Sequence, residues 1–247
     1  MIIGKILMVL NSCDNESIDY LISKRTLELR TSIKKYSLDS FIEEIGVSKT
    51  SMIRYLKKIG IDRFTRYKEV IYEESIKTYV DMKYLKENIT HQKISKDSFI
   101  LYKKIEGKKR IFILGDGNRF SLILYQKALI YLGVFIEIPV YIGSEEDIMS
   151  CYNIGNDDLV IIVSLHEPYD TFLSNRTLFY REGRYLNFMS NCDVGFIGMP
   201  SHYLHEDLSF ALYIKEDYFD QKLIEFIKLF HDLSLVKMKE SDIDDYI

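Results

Sequence analysis

Gly46 stands between two runs of helical periodicity and sets the geometry expected of the first part of the chain. Because glycine has no Cβ, it readily takes the positive φ that a sharp turn between two helices requires. Apolar residues recur at helical spacing on both sides of the turn. The first set is Leu38, Phe41, Ile42 and Ile45, and the second set is Met52, Ile53, Leu56 and Ile59. Residues 37–61 are therefore predicted to form two helices joined by a tight turn, with the second set on the buried side of the second helix.

The other side of the second helix is polar and basic. Ser48 is expected to cap this helix, because its hydroxyl can accept a hydrogen bond from a free N–H group of the first turn. Short hydroxyl side chains near a helix start can reach base edges in duplex DNA, and cations further along the helix lie beside phosphates. The predicted DNA-contacting residues are Ser48, Lys49, Thr50, Ser51, Arg54, Tyr55, Lys57 and Lys58. The alternative is an ordinary helical hairpin with a solvated face.

The distribution of charge supports a partner that is a polyanion. The whole chain has a formal net charge of −4. Residues 1–110 hold 23 lysines and arginines against 15 carboxylates, a balance of +8, and residues 111–247 hold 10 against 22, a balance of −12. A basic first half joined to an acidic second half indicates two domains with different tasks. We predict a DNA-binding domain over residues 1–80, a linker over 81–91 and an α/β domain over 92–247.

Several classes of protein are not favoured. The three cysteines, Cys13, Cys151 and Cys192, are far apart and include no Cys-x-x-Cys pair, so neither a disulfide framework nor a zinc finger is indicated. No stretch approaches the roughly 18 apolar residues of a membrane span. His202 and His205 could ligate a metal, but a polar surface loop is the preferred interpretation. We expect a cytoplasmic protein with no metal, no cofactor, no membrane contact and no enzymatic activity.

The periodicity changes after residue 110. A short apolar run at 111–114 precedes a glycine-bearing loop, and 120–132 is predicted to be helical. Further strands are predicted at 134–138, 159–164, 185–189 and 194–197, with an edge strand at 210–214 and a last amphipathic helix at 219–236. Alternation of strands and helices indicates a mostly parallel sheet covered on both faces, that is, a three-layer αβα sandwich.

Taken together, the two parts resemble the RpiR family of bacterial transcriptional regulators, which join an N-terminal helix-turn-helix domain to a C-terminal sugar isomerase (SIS) domain. The resemblance is strongest over Leu38, the run from Glu43 to Ser48, the run from Arg54 to Gly60, and Phe64, Tyr67 and Lys68. It implies a double-stranded DNA operator, control of sugar or amino-sugar genes, a phosphosugar or other small anionic effector, and a homodimer or tetramer. It does not imply an enzyme.

The SIS-like loops depart from the family pattern. The first loop, usually Gly-x-Gly-x-Ser, has arginine at its last position, and the second, usually Ser-x-Ser-Gly-x-Thr, keeps only its first serine. The candidate effector-binding residues are Gly115, Gly117, Asn118, Arg119, Ser121, Ser164 and His166. Arg119 could replace the lost hydroxyls in holding an anion. Two alternatives stay open: a purely structural SIS domain that assembles oligomers, and a sugar-phosphate isomerase with Glu167 or His166 as its base.

Overall fold

The first half of the chain is helical. In the computed structural model, which describes residues 2–13, 15–88, 95–115, 119–139, 154–168, 192–199, 208–214 and 219–240, this half consists of five helices. They are α1 (Ile2–Ser12), α2 (Ile18–Glu28), α3 (Leu38–Ile45), α4 (Lys49–Ile59) and α5 (Phe64–Asn88), with a 3-10 turn at Ile33–Lys35. Aromatic rings fill the centre of this helical half, where Phe41 packs on Phe64 with ring centroids 5.3 Å apart.

The second half is a five-stranded sheet with flanking helices. Its strands are β1 (Arg110–Gly115), β2 (Ile136–Glu137), β3 (Asp158–Pro168), β4 (Asp193–Met199) and β5 (Phe210–Tyr213), in the order β2-β1-β3-β4-β5. Every neighbouring pair is parallel. The described helices of this half are α6 (Lys96–Ile105), α7 (Arg119–Tyr131) and α8 (Phe219–Glu240). The predicted fold class, a helical domain followed by an α/β domain with a parallel sheet, is confirmed. The strand predicted at 185–189 lies outside the described residues.

Both faces of the sheet are buried, as a parallel sheet with helical crossovers requires. Ile111, Ile113 and Ile161 point to one face and share a core with α6, α7 and α8. Phe112 and Ile162, with the opposite parity, are also fully buried. Arg110 and Asp158 stand opposite each other at the start of β1 and β3 and form a bidentate ion pair, with Nη2 to Oδ2 at 2.6 Å and Nε to Oδ1 at 3.1 Å.

The helical half packs directly on the α/β half. Asn11 of α1 and Gln126 of α7 exchange two amide hydrogen bonds of 2.9 Å, and the backbone N–H of Ile138 donates to Asn11 Oδ1 at 3.0 Å. The Tyr131 hydroxyl donates to Ser75 of α5 at 2.9 Å. Ile130, Tyr131 and Leu132 belong to the same buried cluster as the first five helices.

The linker predicted over 81–91 is not an extended segment in the part that the structure describes. Helix α5 continues without interruption to Asn88, and residues 89–94 lie outside the described residues. The division of the chain at residues 80 and 92 stays a prediction. Cys13 and Cys192 form no disulfide within the described part of the chain, and Cys151 lies outside it.

Candidate nucleic-acid interface

The turn between α3 and α4 has the geometry expected of its glycine. Gly46 has φ of +76°, in the left-handed region. Its N–H bonds to the Glu43 carbonyl at 3.2 Å, and the N–H of Val47 bonds to the Ile42 carbonyl at 3.0 Å. These two bonds form a Schellman motif, which satisfies the last carbonyls of α3 and sends the chain sharply into α4.

Serine caps begin both helices of the pair. The Ser48 hydroxyl accepts from the Ser51 N–H at 3.1 Å, which confirms the predicted cap of α4. At the start of α3, Ser37 and Ser40 form a reciprocal capping box. The other end of α4 is closed by Gly60, with φ of +82°, and by the Lys5 ammonium of α1, which donates to the Ile59 carbonyl at 2.9 Å. A cation at this position also suits the negative end of the helix dipole.

Helix α4 has one buried face and one exposed face. The buried side chains are Met52, Tyr55, Leu56 and Ile59, spaced by three and four residues. The exposed side chains are Lys49, Thr50, Ile53, Arg54, Lys57 and Lys58, with Ser51 at the boundary. Of the eight predicted DNA-contacting residues, the structure therefore presents all except Tyr55 at or near the surface. Their role in DNA binding stays a prediction.

Two predictions about α4 are wrong. Tyr55 cannot contact DNA, since it is fully buried and its hydroxyl lies 2.8 Å from that of Ser23 in α2. The Ser23 hydroxyl donates to the Asp19 carbonyl, so Tyr55 is the donor in this pair. Ile53, predicted to be buried, is 42% exposed. Helices α2 and α5 contact α4 and share the buried cluster of its other face, to which Ile53 does not belong.

The cations of α4 differ in how far they are neutralised. Lys58 forms an ion pair of 2.7 Å with Asp19 of α2, and this hydrogen bond raises the pKa of Lys58. Lys49, Arg54 and Lys57 make no hydrogen bond or ion pair within the described residues. These three positive charges face solvent and are available to an anionic partner.

An acidic residue close to this surface along the chain already has a cationic partner. The carboxylate of Glu44, at the end of α3, pairs with the Arg25 guanidinium of α2. The hydrogen bond from Arg25 holds the pKa of Glu44 below its usual value, with a further contribution from Tyr36. Because Arg25 compensates this charge, Glu44 opposes an approaching polyanion less than a free carboxylate would.

The candidate effector residues converge on the carboxyl edge of the sheet as far as the structure describes them. Gly115 ends β1 and pairs in register with Val163 of β3, next to Ser164. Ser164 itself is fully buried. Gly117 and Asn118, and the side chains of Arg119, Ser121 and His166, lie outside the described residues. A Cβ placed on Gly198 of β4 would lie 2.1 Å from the Ser164 carbonyl oxygen, so the two strands approach each other closely at this edge.

A cavity that the sequence did not predict lies at the opposite edge of the sheet. It has a volume of about 450 Å³ and lies between α2 and the first residues of β1 and β3, where Tyr20, Lys24, Lys109 and Arg110 contribute to its wall. The residues that line it come from three separate segments, 15–24, 109–110 and 155–158. No local motif joins them, so sequence patterns could not have found the cavity.

Comparison with known proteins gives two structural neighbours of low sequence identity. No family model matches it, and no curated protein matches it. Among solved structures, the NanR protein of Vibrio vulnificus complexed with ManNAc-6P is similar over 98% of this chain and 94% of that one, with 14% identity and a TM-score of 0.43. A hypothetical protein of Methanococcus jannaschii, for which a function of 3-hexulose-6-phosphate isomerase was inferred, is similar over 67% and 89%, with 15% identity and a TM-score of 0.40.

Two further features bear on the class of protein. Within the described ranges, no group of three or more histidine, cysteine, aspartate or glutamate side chains is arranged to hold a metal ion. His202 and His205 lie outside those ranges. None of the helices that the structure describes is long and apolar enough to cross a bilayer.

Proposed function

We propose that this chain is a DNA-binding transcriptional regulator of the RpiR type, in which α3 and α4 act as a helix-turn-helix. The observation that supports this most is the solvent face of α4, where Lys49, Arg54 and Lys57 have no partner within the described part of the chain. Such a surface matches the negative charge of duplex DNA, from which most non-specific affinity derives.

The proposed docking places the first turns of α4 in the major groove. Thr50 and Ser51 lie in the first turn, where short hydroxyls reach base edges, and Arg54 follows one turn later, where guanidinium can bond to guanine. Lys49, Lys57 and Lys58 would meet phosphates, and Lys58 would exchange its exposed ion pair with Asp19 for a phosphate contact. One short helix reads few base pairs, so we expect a homodimer or tetramer on a two-fold operator.

The α/β half would act as the effector and assembly domain. A phosphosugar or other small anion would bind at the carboxyl edge, held by Arg119 with Gly115, Gly117, Asn118, Ser121, Ser164 and His166. Titrating the purified protein with a panel of sugar phosphates tests this proposal. A thermal shift that disappears in Arg119→Ala supports it, whereas no shift with any anion favours a purely structural domain. Turnover of a sugar phosphate in the same samples would support the isomerase alternative.

The DNA proposal is tested by selecting binding sites from random duplexes and measuring affinity at several salt concentrations. Lys57→Ala should weaken binding to all sequences and reduce the salt slope by about one. Arg54→Ala should relax the preference at one base pair. The matched control is Lys104→Ala, which removes an exposed lysine of α6. If the wild type binds no duplex, or if Lys57→Ala and Arg54→Ala both bind as the wild type and the control do, the proposed interface is wrong.

A further inference from the structure

Ile53 is an apolar side chain placed among the unpaired cations of α4. It is 42% exposed, whereas Met52, Leu56 and Ile59 of the same helix are at most 3% exposed. Single exposed apolar residues are common on proteins and need no special explanation. The neighbours of Ile53 set it apart, because Lys49 precedes it by one turn and Lys57 follows it by one turn on the same side of the helix.

The position along the helix is also specific. Ile53 is the fifth residue of α4, about 6 Å along the axis from its first residue. The first two turns of a recognition helix are the part that enters the major groove. If Lys49 and Lys57 contact phosphates, the side chain between them is directed to the floor or wall of the groove rather than to solvent.

An isoleucine has no hydrogen-bonding group, so it can recognise only an apolar feature of a base edge. The major groove offers one such feature, the C5-methyl group of thymine. We infer that Ile53 contacts a thymine methyl in each half-site and thereby sets a preference for thymine over cytosine at that position. This inference rests on the proposed DNA-binding function and adds to it a specificity-determining residue.

Deoxyuridine provides a direct probe, because it differs from thymidine only in lacking this methyl group. Each thymine of the selected site is replaced in turn, and the affinity of the wild-type protein is measured. We expect one thymine per half-site at which the replacement weakens binding about fourfold, the effect of losing one buried methyl contact. A duplex with 5-methylcytosine at that position should also bind more tightly than a duplex with unmodified cytosine there, because it restores the methyl group.

Two variants assign the effect to Ile53. In Ile53→Ala, thymine and deoxyuridine duplexes should bind equally at the sensitive position. Ile224→Ala makes the same change at an exposed isoleucine of α8 and should keep the full difference. Circular dichroism of both variants checks that the helices are intact, and the deoxyuridine scan of the wild type does not depend on either variant.

The outcomes separate this inference from the function on which it rests. A protein that selects no DNA sequence overturns both. A protein that selects a site but tolerates deoxyuridine at every thymine remains a DNA-binding regulator, and the role of Ile53 is then wrong. If Ile53→Ala still binds the thymine duplex more tightly than the deoxyuridine duplex, another residue makes the methyl contact. That result also overturns the inference.

Discussion

The hydroxyl of Tyr20 in α2 donates to the carboxylate of Glu137 in β2 at 2.7 Å, across the boundary between the helical half and the sheet. Both residues are buried, and the second carboxylate oxygen of Glu137 has no hydrogen-bond partner among the described residues. Burial raises the pKa of Glu137 above its ordinary value of 4.5, although the bond from Tyr20 opposes the shift. Burial, with Glu137 beside it, also raises the pKa of Tyr20.

This pair predicts a pH-dependent contribution to stability. Because the pKa of Glu137 is raised in the folded state, its contribution is fully present below the unfolded pKa and is lost as pH rises through the folded pKa. The free energy of unfolding of the wild type should therefore fall relative to that of Glu137→Gln as pH rises from about 4 towards neutrality. Urea denaturation of both proteins across this range measures the difference. Curves that stay parallel at all pH values would contradict the raised pKa.

Replacement of Gly46 by alanine should destabilise the protein without causing a steric clash. A Cβ at this position would meet nothing within 4 Å, so the penalty of Gly46→Ala comes only from its left-handed backbone. We expect a loss of about 1–2 kcal/mol in the free energy of unfolding. Gly4→Ala is the matched control, since Gly4 lies inside α1 with equally open space around it. That substitution should stabilise the protein by up to about 1 kcal/mol. Equal effects at both sites would rule out backbone strain as the cause.

A substitution at Tyr55 should affect the stability of the protein without affecting DNA binding. Tyr55→Phe keeps the buried ring and removes the hydroxyl that bonds to Ser23. We expect the free energy of unfolding to fall by about 1 kcal/mol. The salt dependence of DNA binding should not change, because the hydroxyl faces α2 rather than solvent. If Tyr55→Phe has wild-type stability but binds DNA more weakly, the Tyr55 hydroxyl contributes to the DNA interface after all. Affinity and urea denaturation are measured on the same preparation.

Gly198 predicts a clash inside the sheet. Its Cβ would lie 2.1 Å from the Ser164 carbonyl oxygen, and backbone cannot move aside as a flexible side chain can. Gly198→Ala should therefore lower the free energy of unfolding by about 3 kcal/mol. Gly155→Ala, where a Cβ meets nothing within 4 Å, should change stability by less than about 0.5 kcal/mol. Thermal unfolding compares the two variants, and similar melting temperatures would show that β3 and β4 are less tightly opposed than the structure indicates.

Features that depend on neighbouring residues, such as helix ends and strands, could be predicted from the sequence. The φ of Gly46 and the cap at Ser48 follow from properties of single residues and their nearest neighbours, which the sequence displays directly. The strands of the parallel sheet follow from short apolar runs bounded by turns. These features depend on little beyond the segment that forms them.

Features that depend on distant neighbours were not predictable in the same way. Ile53 and Tyr55 were assigned to the wrong faces of α4, because residue type suggested burial for isoleucine and exposure for tyrosine. The actual faces are decided by α2, where Ser23 supplies a partner for the Tyr55 hydroxyl. The contact between Tyr20 and Glu137 joins residues 117 positions apart, and no periodicity reveals it. The glycine loop of the candidate effector site stays a prediction, since Gly117 and Asn118 lie outside the described residues.

The shared core between the two halves limits how a signal could travel. Tyr131 packs among the first five helices, and the paired amides of Asn11 and Gln126 fix α1 to α7. Movement of α4 relative to the sheet would expose this shared core to water. We therefore expect the helical half and the α/β half to move as one rigid body. In the proposed oligomer, an effector bound at the carboxyl edge of the sheet would then change the spacing of the α4 helices by changing how the protomers pack against each other.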